Sequence, residues 1–116
     1  MREIKFRVWD AENKKFLQYD LLAYHTEVPM FYKKPVMQYT GLKDKNGVEI
    51  YEGDIIDTSG ETYEVKYVAD LASYLLINLE PEPNGDRETE DLWKIDSDAW
   101  EVIGNIHENP ELLKYS

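Results

Sequence analysis

Glu52 and Asp54 are separated by a single glycine, and an extended chain turns side chains two residues apart to the same side. Two carboxylates about 6–7 Å apart can divide acid and base duties at a glycosidic bond, or share a divalent cation. Gly53-Asp54 is equally an ordinary turn, in which the Asp54 carboxylate accepts backbone N–H bonds where a strand begins. Imidazoles are restricted to His25 and His107, without His-x-x-His spacing, so the sequence offers no zinc-ligand set, and neither metal nor cofactor is expected. There is no Gly-x-Ser-x-Gly elbow and no glycine-rich phosphate loop. Cysteine is absent, which removes disulfides, thiolate–metal sites and thiol catalysis.

The candidates for binding lie elsewhere. Arg7, Trp9 and Asp10 end the first β-prone run, with Arg7 and Trp9 on one side of it. A guanidinium over an exposed indole contributes about 0.5–1 kcal/mol, and such a surface is either a binding platform or a strand face covered by residues 20–35. Gln38, Tyr39, Thr40 and Asn105 are polar residues in strand contexts. They suit a buried hydrogen-bond network that fixes closure of the sheet, or the lining of a peptide groove. Lys43, Asp44 and Asn46 belong first of all to a turn.

A formal charge of −11, from 24 acidic and 13 basic residues, repels phosphate backbones. Lys14-Lys15 and Lys33-Lys34 are small basic pairs beside turns, so direct nucleic-acid binding is not expected. No run approaches the roughly 20 apolar residues of a membrane span. The opening Met1-Arg2-Glu3-Ile4-Lys5-Phe6 alternates charged and apolar residues, unlike a signal peptide, which places the expected location in a reducing cytoplasm.

The elements that must position these residues are mostly strands, as nine Tyr, three Trp and three Phe in 116 residues suggest. Ile4, Phe6 and Val8 alternate with Lys5, Arg7 and Trp9, and Phe16–Tyr19 returns after a polar turn, giving a first hairpin. Residues 20–35, limited by Pro29 and Pro35, predict an irregular segment. Val36–Thr40 and Val48–Tyr51 flank Asn46-Gly47, the signal of a type I′ hairpin turn. Strands then follow from Ile55, over Thr62–Val68 with Tyr63, Val65 and Tyr67 inward, and over Tyr74–Leu79, covered on both faces. Residues 80–91 form an acidic loop. Two last strands carry Trp93 and Ile95, then Trp100, Val102, Gly104 and Ile106, before a terminal turn in which Asn109 caps and Pro110 leads.

Three blocks carry a family resemblance: Phe6-Arg7-Val8-Trp9-Asp10, the stretch Met37–Gly47 continuing through Ile50–Ile55, and Val102–Pro110. In order and spacing the chain resembles the YopX family of phage and prophage proteins over almost its whole length. Residues 20–35 and 69–95 carry no signature. The resemblance implies a phage or prophage origin in a bacterial host, a mainly β YopX-like fold, no established activity and no catalytic residues to carry over. With the strand pattern, it predicts one domain over 1–116: hairpins and an irregular segment in 1–50, an SH3-like small barrel in 51–107, and a helical turn in 108–116.

The function expected is a non-catalytic protein-interaction or regulatory module, with an unknown protein partner or a homo-oligomer formed through strand edges. The alternatives are an acidic nucleic-acid mimic that inhibits a host enzyme, and a small hydrolase working through Glu52 and Asp54.

Overall fold

The computed structural model describes residues 4–20, 35–94 and 97–113. The first hairpin pairs β1 (Lys5–Asp10) with β2 (Lys15–Asp20), from Lys5 opposite Asp20 to Asp10 opposite Lys15. Asp10 builds its turn: the carboxylate accepts from the Glu12 N–H at 3.2 Å and from Asn13 Nδ2 at 2.8 Å. β3 (Val36–Lys43) lies on the other side of β1, and β4 (Glu49–Tyr51) beyond it, giving the order β2-β1-β3-β4. β1 is covered on both faces, because Val8 is fully buried on one and Arg7 is largely covered on the other.

The connection between β3 and β4 differs from a type I′ turn. The Gly47 N–H donates to the Asp44 carbonyl at 3.0 Å and the Asp44 N–H to the Val48 carbonyl at 2.9 Å. Only Gly47 takes a left-handed conformation there, at φ +80°. The Asp44 carboxylate explains this, since it accepts from the N–H groups of Asn46 at 2.8 Å and Val48 at 2.9 Å and so holds Asn46 right-handed. The result is a type I turn followed by a left-handed glycine.

β5 (Asp54–Thr58), β6 (Glu61–Val68), β7 (Ser73–Asn78) and β8 (Thr89–Asp91) form an antiparallel meander, and β9 (Glu101–Asn105) returns to pair with β5. This five-stranded sheet curls into a half-barrel, and the fold is mainly β, with no helix longer than a 3-10 turn among the described residues. Ile56, Tyr63, Val65, Leu76, Leu92 and Trp100 fill its concave face, and Ile50 of β4 joins them. Thus the first sheet plugs the half-barrel.

Some expectations shift along the chain. Tyr67 lies on the inward face of β6 but is 43% exposed, because the strand outruns the core. In β7, Leu76 is buried whereas Leu75 and Ile77 are only half-buried, so the strand has one fully covered face. Residues 92–94 form a 3-10 turn rather than a strand: Leu92 leaves the sheet to enter the core, which throws Trp93 outward, 68% exposed. Ile95 lies outside the described residues, as does most of the 20–35 segment. The terminal turn is a single 3-10 turn over Pro110–Leu112, and the Asn109 carboxamide, instead of capping it, accepts the Asn105 N–H at 3.2 Å.

Gly53 is where the sheets meet. Its N–H donates to Val65 at 2.8 Å and its carbonyl accepts from Ile106 at 2.9 Å. Its φ is +88°, and a Cβ there would lie 3.1 Å from Met37 Sδ. Gly47 has a similar φ of +80° with open space around it. Gly53→Ala is therefore expected to cost about 2 kcal/mol and Gly47→Ala about 1. Urea unfolding should show the larger midpoint shift for Gly53→Ala at unchanged slope; the reverse order would show that the Met37 contact is not tight.

Candidate functional site

The three sequence blocks converge on one buried array. Arg7, carried by β1, donates Nη2 to the Asp54 carboxylate at the start of β5. The other oxygen of Asp54 accepts the Tyr51 N–H at 2.7 Å, closing the Glu52-Gly53 turn. The guanidinium lies between two rings, 4.1 Å from the Phe16 centroid and 4.7 Å from that of Tyr51, which favours Arg over Lys because the planar cation stacks.

Aromatic contacts extend the array both ways. Trp9 tilts against Phe16 at 4.9 Å and stacks on His107 at 5.7 Å. Tyr51 meets Tyr39 at 5.5 Å, and Lys5 Nζ sits 5.6 Å over Tyr39 while pairing with Glu49 at 2.6 Å. Trp9 thus faces an imidazole rather than the guanidinium. Asn105 sets that contact: its Oδ1 accepts from the N–H groups of His107 at 3.0 Å and Glu108 at 2.9 Å, shaping the turn that follows β9.

The remaining sequence candidates are structural ties as well. Asp44 also accepts the Val102 N–H at 2.9 Å, joining the first sheet to β9. Burial pushes its carboxyl up, but three backbone N–H bonds outweigh that and hold it below its ordinary value. Glu52 turns to β3, where its N–H donates to the Gln38 carbonyl at 3.0 Å and its Oε1 accepts from the Gln38 N–H at 3.5 Å. Glu52 and Asp54 therefore serve different partners. Burial raises the Asp54 carboxyl against the pull of Arg7 and of the Tyr51 N–H. Among the described residues, no three His, Asp or Glu side chains gather closely enough to hold a metal.

Two clefts open on this framework. One, of about 330 Å³, is lined by Met37, Glu52, Glu64, Lys66 and His107 among others. Burial raises the Glu64 carboxyl there, and it lowers the His107 imidazole, to which the Arg7 charge adds. The other, of about 410 Å³, lies between the sheets. Gln38, Thr40 and Leu42 of β3 form one side, Tyr67, Ser73 and Tyr74 the other, and Leu92 and Trp93 the end. Sequence reasoning pointed to Gln38 and Thr40 but missed Tyr67, Tyr74 and Trp93. The available signal was the pairing of two tyrosines across a hairpin, opposite each other in register and edge-to-face at 5.1 Å.

A curled β-sheet plugged by a second one, with Arg7, Asp10, Asp44, Asp54 and Asn105 engaged as internal ties, defines a small all-β scaffold. The YopX protein family matches residues 23–114, and the chain belongs to that family. It is similar to a solved structure, the crystal structure of protein EF1440 from Enterococcus faecalis, at 28% identity and a TM-score of 0.58, covering 98% of this chain and 100% of that one. No curated protein matches the chain. No helix among the described residues is long and apolar enough to cross a membrane.

Removing one member of a buried ion pair strands the other charge, so Arg7→Met is expected to lose about 3–5 kcal/mol. Arg7→Met/Asp54→Asn should lose less than the sum of the two single changes, as denaturant unfolding will show; strict additivity would mean that the pair is not coupled.

His107 gives a separate pH signature. Its value in the fold lies below the ordinary 6.5, so the unfolded chain takes up the proton first as pH falls. The stability it contributes is full above 6.5 and is lost as pH drops through the lowered value. Wild type should weaken over that window relative to His107→Phe, which keeps a ring on Trp9; parallel curves would mean that neither burial nor the Arg7 charge lowers the imidazole.

Proposed function

We propose that this YopX-family chain is a non-catalytic interaction module of phage or prophage origin, working in the host cytoplasm and binding a partner protein through the cleft between its sheets. The observation that carries this reading is a coincidence of exposure. Tyr67 and Trp93, 43% and 68% exposed, line that cleft, and Leu71, 61% exposed, immediately precedes Ala72 in its wall. Exposed large apolar side chains scattered singly mean little, but a cluster around a concavity marks an interaction surface. The polar residues that would do chemistry support the same reading, since Asp10, Asp44, Asp54 and Asn105 are engaged in turns and sheet contacts. The return of β9 to β5 after a meander supports an SH3-like unit over 51–107, a scaffold suited to presenting such a surface.

A second reading, the acidic mimic, is favoured by residues 80–91. Glu82, Asp86, Glu88 and Glu90 are exposed there, while Arg87 donates to the carbonyls of Asn78 and Leu79 at 3.1 and 2.7 Å.

The test compares proteins captured from host lysate by wild type and by Tyr67→Ser/Trp93→Ser, whose exposed positions should leave the fold intact. A stoichiometric partner held by wild type and lost by the variant is the expected result. The same partners on both would overturn the cleft reading, and if they also released steeply with salt they would favour the mimic.

A further inference from the structure

Resting on that reading, we propose that the cleft takes an extended, proline-bearing segment of the partner, with a lysine or arginine next to Trp93. The hydrogen-bonding groups around the cleft are unevenly used. The Thr40 hydroxyl donates to the Ile50 carbonyl at 2.7 Å and accepts the Leu42 N–H at 3.2 Å. By contrast, the Gln38 carboxamide, the Ser73 hydroxyl and the Tyr67 hydroxyl make no hydrogen bond among the described residues. Gln38 and Ser73 are half-buried, so polar groups that no described residue engages are held within reach of solvent at a concave surface.

A polyproline-II segment complements that arrangement. It has no internal hydrogen bonds, so its carbonyls need donors from outside, and Gln38 Nε2, Ser73 Oγ and Tyr67 Oη can supply them. Its proline rings pack on aromatic faces, which the Tyr67–Tyr74 pair and Trp93 provide. Preformed extension also lowers the ordering cost of binding.

Charge sets the polarity. Among the described residues no charged side chain lines the cleft, which suits a segment neutral in its middle. Residues 80–91 carry six carboxylates and one arginine and lead through β8 directly into Leu92 and Trp93. A cation at that end gains both the indole face and this negative field.

The experiment titrates isotope-labelled full chain with an array of synthetic Pro-x-x-Pro peptides bearing lysine or arginine at either end, followed by NMR. The expected result is saturable shifts at the Gln38 carboxamide, Ser73, Tyr74 and the Trp93 indole. Binding should weaken about tenfold in Trp93→Ala, less in Gln38→Ala, and be lost when the peptide's prolines become alanines or its basic end becomes glutamate. Shifts confined to the β8 edge would mean strand addition instead, and saturation of the same groups by a neutral oligosaccharide alone would mean a sugar site; either overturns the proposal. If no peptide binds but Tyr67→Ser/Trp93→Ser still loses its captured partner, the interaction module stands and the extended segment falls. If peptides bind while capture is unchanged, the captured partners use another surface, and both the cleft reading and the assignment of the segment to the partner fall.

Discussion

The buried pair of Arg7 and Asp54 is the constraint from which the rest of the structure follows. Asp54 is 1% exposed and Arg7 14%, and a charge so placed is tolerated only with its partner in position. Fixing Arg7 against Asp54 fixes β1 of the first sheet against β5 of the second. The desolvation cost of the pair is several kcal/mol per ion, largely offset by their attraction. Its contribution is therefore mainly positional. The rings of Phe16 and Tyr51 that enclose the guanidinium exclude water and turn one contact into an array reaching His107 at one end and Lys5 at the other.

Positional devices matter in a domain of this size. One that buries only about two-thirds of its unfolded surface has a modest core, and two curved sheets can slide over an apolar contact with little penalty. Directional bonds prevent that. Asp44 reaches across to β9, Gly53 bonds to both Val65 and Ile106, and Ile50 enters the half-barrel between them. The directional ties come from a carboxylate and a glycine backbone, and Ile50 adds the apolar contact between them.

This explains what the sequence disclosed and what it withheld. The hairpins were legible because period-two alternation and Asn-Gly or Asp-rich turns are local signals. Arg7, Trp9, Asp10, Asp44, Asp54 and Asn105 stand out by type, the first three at the end of a strand, Asp44 and Asp54 at turns and Asn105 in a strand context. Their partners were not legible, since Arg7 meets Asp54 across 47 positions and Val102 meets Asp44 across 58. The Asn46-Gly47 turn changed type for a related reason: the Asp44 carboxylate, a neighbour in sequence, competed with the glycine for control of the backbone. Residues 92–94 were misassigned because Leu92 answers to the core rather than to alternation.

The aromatic cleft shows the opposite limit. Tyr67 and Tyr74 follow the inward pattern of their strands, yet they lie beyond the point where the core ends, and the pattern carries no mark of where that is. Tyr63 and Tyr67 sit on the same face of β6, four residues apart, and one is 5% exposed while the other is 43%. Where the inward face of a curled sheet outruns its filling, the same kinds of side chain that build a core become an exposed aromatic surface. In this chain that surface is also where the Gln38, Ser73 and Tyr67 side chains make no hydrogen bond among the described residues. The Arg7–Asp54 array is closed by its own ion pair and rings, whereas the cleft is open to solvent.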